Sequence, residues 1–128
     1  MVSGRIRVLV VDAFTEWRHF VCASLGEIPN VLIVGEAGDG PEAIEQATRF
    51  RPDLAVLDIG LPSLNGIEVA RQIRRVSPES IIVFLTTDNS PDTIEECFRA
   101  GASGYVLKAS GTPALLSAIN AAIERKKV

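Results

Sequence analysis

A doubly wound α/β domain, with one parallel sheet of five strands and helices on both faces, follows from three features of this 128-residue chain. Five short apolar runs recur along it, near residues 6–11, 31–37, 53–58, 81–86 and 104–107. Segments of helix length, with apolar residues three and four apart, separate them. Runs that are apolar at nearly every position suit strands buried on both faces, which is where parallel strands sit. Four of the runs also stop on a polar residue: Asp12, Asp58, Thr86 and Lys108. In open parallel sheets the carboxyl ends of the strands line the crevice where ligands bind. Two carboxylates, a hydroxyl and an ammonium are thus delivered to one rim.

The first helix is expected from about Thr15, with Trp17, Phe20, Val21 and Leu25 at helical spacing and a stop at Gly26 and Pro29. Pro41 suits the first position of the second, whose buried face is Ala43, Ile44, Ala47 and Phe50. The third follows Asn65-Gly66 and buries Val69, Ala70, Ile73 and Val76. The fourth follows Ser90-Pro91, buries Ile94, Cys97 and Phe98, and stops at Gly101. The fifth starts after Thr112-Pro113 and buries Leu115, Ile119, Ala122 and Ile123. It ends in Arg125, Lys126 and Lys127, cations that favour the negative end of a helix dipole. Right-handed crossovers leave few strand orders, and the order 2-1-3-4-5 sets Asp12 opposite Asp58 at the switch point. Helices 1 and 5 then cover one face and helices 2, 3 and 4 the other. Cys22 and Cys97 fall on opposite faces, so no bridge joins them.

Thirteen Lys and Arg against sixteen Asp and Glu give a net charge of −3, which argues against a nucleic-acid or membrane surface on this chain. No apolar run approaches the roughly 18 residues of a membrane span, and no leader pattern opens the chain, so a cytoplasmic location is expected. A reducing compartment suits two cysteines that read as apolar core residues. His19, the only histidine, reads as a solvated helix residue. No linker or repeat appears, and residues 1–128 read as one domain.

Two carboxylates brought together repel, and a hard divalent cation between them makes the arrangement favourable. Mg²⁺ prefers oxygen ligands, keeps several waters and commonly bridges one or two carboxylates to a phosphate. Lys108 offers a fixed cation to a second phosphoryl oxygen and Thr86 a hydroxyl to a third. This set supports phosphoryl transfer onto a carboxylate oxygen, with Asp58 as nucleophile. The plainer alternative is a buried Asp–Lys ion pair with Thr86 capping the next helix. Buried pairs are costly and weak as stabilisers, so four such groups on one rim favour a functional site.

Asp58 followed by Ile-Gly-Leu-Pro-Ser-Leu-Asn-Gly, then Thr86, then Gly101-Ala-Ser-Gly-Tyr-Val-Leu-Lys108, resembles the receiver domain of two-component response regulators over essentially the whole chain. Val34-Gly-Glu-Ala-Gly-Asp-Gly and Gly101-Ala-Ser-Gly-Tyr resemble the receivers that precede LuxR-type helix-turn-helix domains. The resemblance implies a flavodoxin-like fold in which Asp58 accepts a phosphoryl group from a sensor histidine kinase. Thr86 and Lys108 would hold the phosphoryl oxygens, and Tyr105 would be an aromatic switch that swings inward as the threonine moves. Tyr105 as half-buried strand packing stays open beside that role. Mg²⁺ would be held by Asp12, Asp58 and the backbone carbonyl of Gly60. The implied role is signalling rather than enzymatic. It acts through a homodimer formed on phosphorylation or an output domain in a longer parent chain. Without a basic recognition helix, this domain itself is not expected to bind DNA.

Two departures bear on that expectation. The family ends its first strand in two adjacent acids, whereas this chain has Asp12-Ala13-Phe14. Even changes around metal ligands typically cost about 10–100-fold in affinity, so losing a ligand should cost at least as much. Asp12 shifting, or Glu16 reaching in from the first helical turn, would compensate, although Glu16 is more simply a favourable charge at a helix N-terminus. Ala109 follows Lys108 where many relatives carry proline after a cis bond. A cis bond before a non-proline residue costs about 2.5–4 kcal/mol, a strain expected here if the lysine is to reach the pocket.

Ala13 keeps a second function open, a phosphorylation-independent interaction module. A third comes from Gly38-Asp-Gly40-Pro-Glu-Ala43, which follows a strand and opens a helix, with Asp58 twenty residues beyond Gly38. That is the pattern of a dinucleotide-binding enzyme fragment. It leaves Thr86 and Lys108 unexplained, and both glycines suit a tight turn without any ligand. Arg71, Arg74 and Arg75 read either as a solvated face or as a kinase-docking edge.

Overall fold

Strands β1 (Ile6–Val11), β2 (Val31–Ala37), β3 (Leu54–Leu57), β4 (Ile81–Thr86) and β5 (Gly104–Leu107) pair in parallel in the order β2-β1-β3-β4-β5 in the computed structural model, which describes residues 5–127. Helices α1 (Thr15–Leu25), α2 (Gly40–Phe50), α3 (Gly66–Val76), α4 (Pro91–Arg99) and α5 (Gly111–Lys127) join or follow them. This is the expected doubly wound, flavodoxin-like α/β fold. The side chains of Lys126 and Lys127, expected at the dipole end of α5, lie outside the described residues.

The three central strands explain their own composition. Every residue of β3 and β4 is buried, as is β1 from Val8 onward. Alternate strand residues feed opposite faces. Leu9, Val11, Ala55, Leu57, Ile82 and Phe84 meet Ala43 and Ala47 of α2, Val69 and Ile73 of α3, and Cys97 of α4. Val8, Val10, Val56, Val83 and Leu85 meet Val21 and Leu25 of α1 and Leu115 and Ile119 of α5. Each fully buried aliphatic of this kind is worth about 1.5–3 kcal/mol. The two free cysteines take opposite faces, Cys97 in the first cluster and Cys22 against the second. Burial pushes the Cys97 thiol up to about 11, so it stays a protonated core residue.

Three helices start on side-chain caps, each worth about 1 kcal/mol. The Asp39 carboxylate accepts the Glu42 N–H, the Asn65 side chain accepts those of Ile67 and Glu68, and the Ser90 hydroxyl accepts that of Thr93. Helix α1 has no side-chain cap, because Phe14 stands at that position.

The structure departs from expectation at four places. β3 is shorter than 53–58, although the Asp53 and Asp58 N–H groups still donate to Arg7 and Val11 of β1. Helix α2 begins at Gly40, one residue before Pro41. A single 3₁₀ turn, Lys108–Ser110, follows β5, and α5 begins at Gly111 rather than beyond Pro113. Phe98 is 47 % exposed instead of buried. It lies about 100° around the helix from Cys97, which takes the core-facing position of α4.

Candidate functional site

Asp12 and Asp58 are the first residues beyond the ends of β1 and β3, which lie side by side. The register carries them there: the Asp12 N–H donates to Ala37 at 3.0 Å, and the Asp58 N–H to Val11 at 3.0 Å. Each carboxylate uses one oxygen locally. Asp12 Oδ1 accepts the Phe14 N–H at 2.9 Å, and Asp58 Oδ1 accepts its neighbour Ile59's N–H at 2.8 Å. The other oxygens converge on one ammonium, with Lys108 Nζ 2.8 Å from Asp12 Oδ2 and 3.2 Å from Asp58 Oδ2. All three residues are buried, so two carboxylates and one ammonium share a low-dielectric pocket with a net charge of −1.

Lys108 reaches this point without the expected cis bond. Among the described residues no peptide is cis, and the chain turns away from β5 through the 3₁₀ turn and Gly111 at φ +79°. The positive φ, available to glycine at no steric cost, lies beyond Lys108 and turns the chain into α5.

Thr86 ends β4 and is 2 % exposed. It lines the same cleft, of about 390 Å³, with Phe14, Trp17, Asp58, Gly60 and Lys108. Its hydroxyl accepts the Asp88 N–H at 3.4 Å. Tyr105 stands half-buried on β5, opposite Phe84, and donates its hydroxyl to the Asp88 carbonyl. Burial first, and the Asp88 charge second, push the Tyr105 phenol up to about 12, so it remains a donor at neutral pH. The Ser90 N–H holds the Asp88 carboxyl below its usual range.

The donors named for a divalent cation fit one. Two carboxylate oxygens face a common point, and Gly60 lines the same cleft, a hard oxygen set. Ala13 adds no ligand, and Glu16 is exposed in the first turn of α1 without lining the cleft. Among the described residues no three Asp, Glu, His or Cys side chains gather. The set is therefore a two-carboxylate one.

Several site residues are not visible as such in the sequence. The Trp17 ring centroid lies 4.6 Å from Lys108 Nζ, although its spacing reads only as core. Arg18 donates to the Asp12 carbonyl at 2.6 Å and so ties α1 to the rim. A Cβ on Gly66 would fall 2.0 Å from the Asp58 carbonyl oxygen, so only glycine lets α3 start against the Asp58 backbone. The Asn65-Gly66 pair signals a helix start but not this contact.

Gly38 to Ala43 has a packing explanation. The Gly38 N–H donates to Glu42 Oε1 at 2.8 Å, and the Glu42 N–H to Asp39 Oδ1 at 2.8 Å. A Cβ on Gly40 would meet Leu64 at 2.7 Å. The amides a pyrophosphate would need are taken by a capping arrangement. His19 is exposed, as expected. Arg71 pairs with Glu68 and Glu96 at 3.2 and 3.5 Å, and Arg74 donates to the Pro78 and Ser80 carbonyls. No helix among the described residues is long and apolar enough to cross a membrane.

Comparison with known proteins gives the same reading. The family model described as "Response regulator receiver domain" matches residues 8–120. The "DNA-binding transcriptional activator DevR/DosR" of Mycobacterium tuberculosis is 39 % identical over 103 residues, covering 80 % of this chain and 48 % of that protein. The signal receiver domain of the putative response regulator NarL from the same organism superposes with a TM-score of 0.85 at 28 % identity, covering 97 % of this chain and 98 % of that one. A LuxR-family two-component response regulator from Aurantimonas sp. SI85-9A1 gives 0.86 at 33 % identity, covering 92 % and 84 %. The chain spans 27 %, 56 % and 53 % of three curated relatives, about half or less of their length. With Asp58, Thr86 and Lys108 on one rim of a β2-β1-β3-β4-β5 sheet, the chain belongs to the receiver domains of two-component response regulators, and its neighbours place it on the LuxR-type branch.

Proposed function

We propose that this receiver takes a phosphoryl group onto Asp58 from the phosphohistidine of a sensor kinase. The observation that carries the reading is the placement of Asp58 Oδ2, 3.2 Å from Lys108 Nζ in a cleft also lined by Thr86. Oδ2 attacks the phosphorus, the phosphorus–nitrogen bond breaks, and the departing imidazole nitrogen takes a proton. Lys108 and Thr86 then serve phosphoryl oxygens, an electrostatic role that needs no movement of the sheet. Asp12, Asp58 and the Gly60 carbonyl would hold Mg²⁺, which supplies charge neutralisation when bound. Ala13 sets its affinity below that of a site with a third carboxylate.

The added charge, about −1.5 to −2, competes for Lys108 and draws Thr86. Thr86 is linked to Tyr105 through Asp88, so the effect reaches the surface of α4, β5 and α5. The readout is self-association or a DNA-binding output domain in a longer cytoplasmic parent chain. This domain is a signalling phosphoacceptor and does not itself hold DNA.

Intact mass after incubation with acetyl phosphate, with and without Mg²⁺, tests the reading. A gain of one phosphoryl group that Mg²⁺ accelerates is expected. No gain under either condition would favour a phosphorylation-independent interaction module, the role to which Ala13 otherwise points. Sedimentation with and without beryllofluoride tests the switch, with a change in self-association or in the amide shifts around Tyr105 expected.

A further inference from the structure

We propose that Trp17 is a positioning residue for Lys108. Its indole face forms the third side of a seat, with Asp12 and Asp58, that holds the ammonium where a divalent cation would otherwise bind. The proposal rests on the phosphoacceptor reading only for its consequence, since the seat itself is geometry. Lys108 Nζ lies 4.6 Å from the ring centroid, inside the range of about 6 Å for a cation over an aromatic face. The lysine side chain is only 5 % exposed, so this contact works at the desolvated, strong end of its range. Trp17 is not free to swing away. Its ring meets Phe20 edge to face at 5.2 Å and packs against the cluster beneath α1 and α5.

The seat competes directly with a metal. Both Oδ1 atoms are committed to backbone N–H groups, and both Oδ2 atoms, the ones a cation would take, are on Lys108. With Ala13 in place of a second acid, no extra carboxylate holds the metal while the ammonium moves aside. Mg²⁺ therefore binds only as Lys108 leaves its seat, and whatever steadies the ammonium weakens the metal. In this chain the indole tunes how readily the site is primed. Simple core packing by Trp17 would have no such effect on cation affinity.

Calorimetric titration of the 128-residue chain with MgCl₂ tests this. Trp17→Leu should tighten Mg²⁺ binding by about thirtyfold, the scale of one desolvated cation–aromatic contact. Trp17→Phe, which keeps an aromatic face and tolerates the same packing, should shift it less. Lys108→Met should tighten binding further, and in the double variant Trp17→Leu should then add nothing to it. Thermal melts without metal report whether each variant is folded, and Trp17→Phe keeps the test alive if Trp17→Leu is not.

Unchanged affinity in Trp17→Phe and Trp17→Leu, or a Trp17 effect that persists after Lys108→Met, would overturn the proposal. So would absence of binding in Lys108→Met, where the site is relieved of its ammonium. The readout is metal affinity, so a chain that shows these shifts yet takes no phosphoryl group overturns the phosphoacceptor reading and leaves the seat standing.

Discussion

Thr86 and Tyr105 hold opposite sides of a single residue. The Thr86 hydroxyl accepts the Asp88 N–H at 3.4 Å, and the Tyr105 hydroxyl donates to the Asp88 carbonyl. The residue at the lip of the cleft and the aromatic on β5 are therefore coupled through the backbone of Asp88. Any displacement of Thr86 toward Asp58 pulls on the peptide before Asp88, while Tyr105 holds the peptide after it.

Removing the phenol should loosen that unit. Tyr105→Phe deletes one hydrogen bond worth about 0.5–1.5 kcal/mol net. Amide hydrogen exchange across Asp88 to Ser90 should speed up by about twofold to tenfold, while labelling at Asp58 persists. Unchanged exchange would show that the loop is held by Ser90 and Thr93 instead.

The phenol also gives a pH signature, and the chain has a single tyrosine. Tyrosinate absorbance should titrate at about 12 in the folded protein and near the ordinary value of 10.0 once unfolded. The native state holds this proton more tightly than the unfolded chain does. Its contribution is therefore complete below pH 10 and is lost as pH rises from about 10 to about 12, lowering the resistance to urea in that window. A folded-state titration at 10 would mean that Tyr105 is solvated.

Gly66→Ala should disturb Asp58 from behind. The new Cβ would fall 2.0 Å from the Asp58 carbonyl oxygen and 2.8 Å from Ile59 Cα, both backbone atoms with little room to give. Overpacking of this kind costs about 1–3 kcal/mol. Urea denaturation should report that loss, with slower phosphoryl uptake alongside it. A neutral variant would show that the α3 start can shift freely.

Ala13→Asp restores the acid that this chain lacks. Mg²⁺ affinity should rise by at least about tenfold, the scale set by losing a supporting group at a metal site. Metal-free stability should fall, because a further carboxylate joins Asp12 and Asp58 near a single ammonium. Unchanged affinity by calorimetry would mean that Asp12 already compensates.

The strand ends are legible because buried parallel strands are apolar at nearly every position, so Asp12, Asp58, Thr86 and Lys108 stand out against their runs. The crossover rule leaves few strand orders, and the flavodoxin-like one among them, β2-β1-β3-β4-β5, sets the two carboxylates side by side. Trp17 is not legible as a site residue. An aromatic at helical spacing reads as core, and its approach to Lys108 joins α1 to a residue far along the chain, after β5. The route of Lys108 is hidden for a related reason: it stands at the start of a 3₁₀ turn reached through trans peptides, which its spacing does not announce. Phe98 reads as core because periodicity reports one apolar stripe and does not say where the sheet edge ends.

Phosphoryl labelling of matched variants decides whether Asp58 is the acceptor. Intact mass after acetyl phosphate and Mg²⁺ should show one added phosphoryl group on the native chain and none on Asp58→Asn, which keeps the shape and removes the nucleophile. Asp12→Asn should label more slowly but still label. Undiminished labelling of Asp58→Asn would rule out Asp58 as the acceptor, because the phosphoryl group would then be going somewhere other than the carboxylate beside Lys108.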